Sequence, residues 1–286
     1  MKTVAGMSEV ASPQAIIASI ETQARLVRTP FDGGTMAWRI WGDGPPLVLV
    51  HGGHGSWMHW TRNILPLARH FKVLVPDLPG YGWSDAPPGE IDAERLAEIV
   101  AAGLQQLLNE SEAIAFAGFS FGGVMAGHIA ACMAPRVRRL VLLGAGGLAL
   151  PRPPPPGLVK WQKATSDADR RAAHRANLEA VMIANPAKVD DLAIYIQEQN
   201  TQRARLRSRS ISLTDALRRK LDQVRLPLAG IWGERDPMTG RYVETRRELL
   251  RALDPGCPFV VIEGAGHWVQ YEASGEVNAS LMSWFA

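Results

Sequence analysis

The sequence predicts an α/β fold: a mostly parallel, eight-stranded sheet flanked by helices and interrupted by an all-helical insertion. Three observations carry this. Eight short apolar runs recur along the chain, at 24–27, 36–41, 47–50, 71–75, 113–117, 139–143, 226–232 and 259–262. Several are continuous rather than alternating, as suits strands covered on both faces. Helical spacing separates most of them. Between 149 and 225 the alternation stops, and helix follows helix with no strand signal.

In chain order, the first two runs flank Asp32-Gly33-Gly34, a hairpin signal. The run at 47–50 ends in His51-Gly52-Gly53-His54-Gly55, and a helix is expected over 61–70. The run at 71–75 leads into the loop Pro76 to Asp85. From 92 to 108, Leu96, Ile99, Val100, Leu104, Leu107 and Leu108 fall at helical spacing, with one face toward a core. The run at 113–117 turns directly into a helix, and 139–143 ends in Gly144-Ala145-Gly146-Gly147. Pro151, Pro153, Pro154, Pro155 and Pro156 make a stiff connector into the insertion. The last two runs are separated by a helix over 241–253, and a closing helix covers 274–285. The expected units are a tail (1–20), a core in two parts (21–148 and 226–286) and a helical cap or lid (149–225).

Composition excludes several classes. With 286 residues, 47% hydrophobic and 21% charged, the chain can bury a large core without staples. A net charge of +3 does not argue for nucleic acid. Cys132 and Cys257 have no CxxC partner and read as two buried thiols in a reducing compartment. No apolar leader precedes Glu21 and no run approaches a membrane span, so a soluble, cytoplasmic chain with no membrane partner is expected. A homodimer is compatible with the sequence.

The chemistry centres on Gly118-Phe119-Ser120-Phe121-Gly122-Gly123. A strand that turns straight into a helix strains its corner residue and needs small neighbours on either side. Ser120 at that corner is the candidate nucleophile, presented at a helix N-terminus that favours negative charge. A serine hydroxyl needs a base and a group to orient that base. Asp236 and His267 each follow one of the last two strand runs, and strand ends build the site in open α/β sheets. Glu234 competes with Asp236 for the acid role; Asp236 is preferred, and Glu234 reads as a solvated or structural charge. The alternative location, Gly144 to Gly147, holds no carboxylate. Backbone N–H donors for an oxyanion are expected from Phe121 and from Gly53, whose missing side chain would let the substrate approach. His51 reads as a loop-shaping hydrogen bonder. His54 and His59 read equally as pocket mouth or plain loop. Without cysteine or carboxylate ligands, the three histidines do not make a zinc set, and neither metal nor organic cofactor is expected.

Together His51-Gly52-Gly53, Asp77 to Asp85, the Ser120 motif, Gly233-Glu234-Arg235-Asp236 and Gly264-Ala265-Gly266-His267 resemble the α/β-hydrolase fold enzymes, from about Ala24 onward. The order Ser, Asp, His agrees. Gly266-His267-Trp268-Val269-Gln270-Tyr271-Glu272 and Arg62-Asn63-Ile64 resemble the branch that hydrolyses carbon–carbon bonds of aromatic ring-fission products. That likeness implies a cap arginine for a substrate carboxylate and places Trp268 at the pocket. Phe119 and Phe121 depart from it: that branch usually carries Asn and Met there. The aromatic pair makes a more apolar floor, so the expected pocket is His54, Phe119 and Trp268. The insertion is basic, with Arg203, Arg205, Arg207, Arg209, Arg218, Arg219, Lys220 and Arg225 offset by Asp215 and Asp222. Either one arginine reaches an acidic substrate or the run is a solvated face. The resemblance implies a serine hydrolase of small to medium carboxylic esters. The alternatives are carbon–carbon hydrolysis of a vinylogous diketone and a small-molecule receptor on the same scaffold.

Overall fold

The computed structural model describes residues 11–154 and 156–285. The first ten residues of the expected tail and Pro155 of the connector lie outside the described residues. The strands are β1 (Arg25–Phe31), β2 (Gly34–Trp41), β3 (Pro46–Val50), β4 (Lys72–Pro76), β5 (Ile114–Phe119), β6 (Val137–Leu143), β7 (Leu228–Gly233) and β8 (Phe259–Ile262). They form one eight-stranded sheet in the order β1-β2-β4-β3-β5-β6-β7-β8. β2 runs antiparallel to both its neighbours, and every other pair is parallel. β3, β5 and β7 are buried at every position, as their continuous apolar sequences require.

Side-chain alternation divides the core into two layers. Val48, Val50, Phe116, Leu140 and Leu142 face helices α3 (Ala93–Leu107), α4 (Phe121–Cys132), α8 (Ala216–Gln223) and α9 (Val243–Leu253). Leu47, Leu49, Ala115, Val141 and Leu143 face α1 (Pro13–Glu21), α2 (Ile64–Ala68), α10 (Val269–Glu272) and α11 (Ser274–Phe285). The insertion contributes α5 (Asp167–Val181), α6 (Asp191–Arg203) and α7 (Arg209–Ser212), and no strand lies between β6 and β7 among the described residues.

Four expectations are corrected. The stretch 1–20 is not all tail: α1 is capped by Ser12 and buries Ile17 and Ile20, one helical turn apart, on the sheet. The helix expected over 61–70 is only α2, preceded by a 3₁₀ turn at Trp57–Trp60. Pro66 has no N–H to give and cannot follow a longer helix, so α2 begins two residues before it. α8 belongs to the core rather than to the insertion that was expected to run to 225. Its Leu217 lies so close to α4 that a Cβ on Gly127 would meet Leu217 Cδ1 at 2.3 Å. Leu217 and Leu221 read as one apolar helix face in either setting, and only packing chooses the partner. Cys257 is buried, but Cys132, the last residue of α4, is exposed. Among the described residues no helix is long and apolar enough to cross a membrane.

Candidate active site

β5 delivers the chain to Ser120, which adopts φ 54° and ψ −117° before α4 begins. A non-glycine residue there costs about 1–3 kcal/mol, and surrounding structure must hold it. The Ser120 N–H donates to Leu143 O at 2.8 Å, and its carbonyl accepts from Gly123 N–H at 2.9 Å. The flanking glycines allow the two arms to touch. A Cβ on Gly118 would stand 2.4 Å from Gly122 O. The Ser120 hydroxyl makes no capping bond and lies 3.0 Å from His267 Nε2.

His267 follows β8, and its Nδ1 lies 2.9 Å from Asp236 Oδ2, at the end of β7. Asp236 also accepts from Met238 N–H at 2.7 Å and from the Thr239 hydroxyl at 3.3 Å. The carboxylate, an acceptor only, directs the imidazole proton to Nδ1 and leaves Nε2 to accept from the serine. The His267 and Asp236 side chains are 7% and 1% exposed, so this orientation is set in a water-poor environment. Glu234 is exposed and instead accepts from Gly264 N–H at 2.9 Å. β6 ends close beneath the pair. Gly144 has φ 52°, and a Cβ there would stand 3.1 Å from His267 Nδ1. That close approach accounts for a glycine, and no carboxylate, at this strand end.

Among the described residues, neither the Gly53 nor the Phe121 N–H has a hydrogen-bond acceptor. The two residues are neighbours, since a Cβ on Gly53 would lie 3.7 Å from Phe121 Cβ. The space that Gly53 leaves open is filled, however, by Ser208 of the insertion. The same Cβ would meet Ser208 Oγ at 2.2 Å. Ser208 is buried.

His51 is fully buried: Nδ1 donates to Gly52 O at 2.8 Å and Nε2 accepts from Leu78 N–H at 2.9 Å. Burial lowers its pKa. His59 lies beneath, not at a pocket mouth, and accepts from Gly52 N–H at 3.2 Å. Burial first, then His51, His267 and His54, hold it well below the usual histidine range, and thus neutral. His54 is exposed beside Gly53, with φ 51°. Partial desolvation and then Arg209 push its pKa down. Of the expected pocket residues, His54 alone is at the surface. Phe119 is 1% exposed and Trp268 is fully buried. The Phe119 ring supports His267 at 5.0 Å between centroids, and Trp268 donates to His59 O at 3.0 Å while stacking on Tyr271. Both point into the apolar layer behind the site, because Phe119 precedes Ser120 on a strand and faces the opposite way.

Most arginines of the basic run from 203 to 225 are engaged away from the serine. Arg203 covers the Trp83 ring at 4.8 Å, Arg205 donates to Ser84 O, Arg218 pairs with Asp222 and Arg219 with Asp215. Arg62 is likewise structural: it pairs with Asp190 at 2.6 Å and covers the Tyr271 ring. Arg209 has no carboxylate or carbonyl partner among the described residues and is the arginine electrostatically coupled to His54.

Sequence reasoning gave Glu272 no role of its own. It is 4% exposed and accepts from Gly266 N–H at 2.8 Å, Ala184 N–H at 3.0 Å and Asn185 N–H at 2.8 Å. It thereby ties the turn before His267 to the insertion. A charged residue inside an apolar stretch was the available signal. Glu272→Gln points an amide NH₂ at one of these donors and is expected to cost about 2 kcal/mol. Urea unfolding checks this, and an unchanged midpoint would remove Glu272 from the scaffold.

The sheet order and the serine at a strand–helix joint, faced by residues from the next strand ends, define a class of α/β enzymes. The family model described as "Alpha/beta hydrolase family" matches residues 47–280, and the chain belongs to that family. It is 38% identical over 108 residues to a pimeloyl-[acyl-carrier protein] methyl ester esterase of Vibrio campbellii, covering 38% of this chain and 40% of the relative. It is 39% identical over 113 residues to a 2-hydroxy-6-oxo-2,4-heptadienoate hydrolase of Pseudomonas putida, covering 38% of this chain and 40% of the relative. The chain therefore matches well under half of the length of either. An esterase structure from a Rhodococcus species aligns with a TM-score of 0.72 at 22% identity, covering 92% of this chain and 98% of that one.

Proposed function

We propose that this protein is a serine hydrolase of small to medium carboxylic esters. The observation that carries the reading is the relay from Ser120 Oγ to His267 Nε2 at 3.0 Å and from His267 Nδ1 to Asp236 Oδ2 at 2.9 Å. His267 takes the hydroxyl proton as Ser120 Oγ bonds to the acyl carbon. The Gly53 and Phe121 N–H groups receive the oxyanion. Collapse breaks the ester C–O bond, and the imidazolium, stabilised by Asp236, gives its proton to the departing alkoxide. A water then gives a proton to His267 and adds to the acyl carbon. The acid leaves, and the proton returns to Ser120. The helical insertion acts as a lid, a reading supported by the contact of Ser208 with Gly53.

The ester reading is favoured by the likeness to a methyl ester esterase. A second reading, cleavage of a carbon–carbon bond in a vinylogous diketone, is favoured by the likeness to a heptadienoate hydrolase. Turnover of p-nitrophenyl acetate and butyrate is expected to exceed that of a ring-fission dienoate. The reverse order selects the second reading. No turnover of any of the three selects a receptor on this scaffold.

A further inference from the structure

Gly53 N–H is one of the two donors that receive the oxyanion in the ester reading, and its direction is set one residue earlier. The peptide plane that holds Gly53 N–H also holds Gly52 C=O, on its opposite edge. That carbonyl accepts from His51 Nδ1 at 2.8 Å. The preceding plane, joined to it only through Gly52 Cα, presents Gly52 N–H, which donates to His59 Nδ1 at 3.2 Å. Gly52 adds no restraint of its own, because glycine turns about φ and ψ more freely than any other residue. A side chain cannot replace it, since a Cβ there would meet the Phe119 ring at 3.0 Å. The two histidines therefore hold the two planes on either side of Gly52.

His59 is itself firmly held. Ser56 Oγ accepts from Met58 N–H at 3.3 Å and so caps the 3₁₀ turn that carries the histidine. The His59 carbonyl accepts from Trp268 Nε1 at 3.0 Å. Its ring meets Phe119 and Trp268 edge-on, with centroids 5.5 and 5.2 Å away, and leaves no room for a Cβ on Gly55. Phe119 precedes Ser120 and Trp268 follows His267, so the ring that holds Gly52 is braced by the neighbours of both nucleophile and base. Burial keeps His59 neutral, and only a neutral ring can accept at Nδ1.

We propose that His59 is a positioning residue: with His51 it clamps the peptide planes around Gly52 and so aims Gly53 N–H at the oxyanion. The proposal rests on the serine-hydrolase reading. It acts on kcat rather than KM, because the oxyanion charge develops only on the way to the tetrahedral intermediate. His59→Phe keeps an aromatic ring and removes the acceptor. His59→Asn brings Oδ1 to the place of Nδ1 and restores an acceptor.

The test measures kcat and KM for p-nitrophenyl acetate per folded molecule, with the folded fraction taken from urea unfolding. His59→Phe is expected to lower kcat about 10–100-fold and to leave KM within about twofold of wild type. The loss is smaller than that of deleting an oxyanion donor, because the donor remains and only its aim is lost. Binding of butylboronic acid, whose adduct with Ser120 puts an oxygen in the same place, is expected to weaken by a similar factor. His59→Asn is expected to recover most of both losses. His59→Leu repeats the first arm if His59→Phe does not fold. A role confined to packing lowers the stability of these variants and leaves kcat per folded molecule unchanged; that result, or equal losses in His59→Phe and His59→Asn, would overturn the proposal. Amide exchange at Gly52 reads the clamp without chemistry: slow in wild type and His59→Asn, and faster in His59→Phe relative to the amides of β3. Exchange indifferent to His59 overturns the clamp. If wild type hydrolyses no ester but exchange follows the expected pattern, the clamp stands and the serine-hydrolase reading fails.

Discussion

Replacing Ser120 with alanine is expected to lower kcat/KM on short esters by about 10⁴–10⁶-fold, with no loss of fold. The size follows from the geometry. The hydroxyl is the one group that His267 Nε2 meets at 3.0 Å, and its removal leaves base and acid with nothing to activate. The Gly53 and Phe121 donors survive, so any residual rate is that of water in a polarised site. Stability should hold or rise, because the hydroxyl caps nothing and alanine keeps the Cβ. Steady-state rates with an active-site titration check the first statement and urea unfolding the second. A loss of less than about tenfold would mean that another group carries the reaction.

Gly122→Ala is expected to be the most damaging single-methyl addition at the site. The new Cβ would stand 2.3 Å from both Val50 O and His51 O. These are backbone atoms at the end of a buried strand and cannot swing aside as a side chain could. α4 would have to move off β3, carrying Ser120 and the Phe121 N–H away from Gly53. The expected cost is about 3 kcal/mol or more, together with a loss of activity well beyond the loss of folded protein. Denaturant unfolding and the specific activity of the folded fraction separate the two effects. A variant with wild-type midpoint and rate would show that the elbow does not need this close approach.

The two substitutions also mark how much was legible beforehand. Gly118, Ser120 and Gly122 announce a strand–helix joint because steric demands there are local, and Asp236 and His267 declare themselves by following apolar runs. Which acid faces the histidine is less local: Asp236 and Glu234 are two residues apart, and only the turn after β7 buries one and exposes the other. Phe119 and Trp268 show the limit more sharply. Both are aromatic and adjacent to reacting residues, which suggests a pocket, yet both face the layer behind it. Glu272 and Ser208 gave no periodic signal, because their partners are far away in the chain: backbone N–H groups at Ala184 and Asn185 for one, Gly53 for the other.

The sequence by itself determined the α/β class and the eight strands, and it singled out Ser120, Asp236 and His267 as candidates at the strand ends. Strand burial, helical periodicity and the crowding of a tight turn are constraints between near neighbours. Tertiary structure alone decided which residues line the site. It seated α1 and α8 on the core, turned Phe119 and Trp268 inward and brought Ser208 over Gly53. Those outcomes depend on which apolar face finds which partner across the sheet, a choice made by packing between distant segments. Ser120 is therefore readable from the consecutive residues Gly118 to Gly123, while the cover over Gly53 beside it comes from Ser208, more than eighty residues away in the chain.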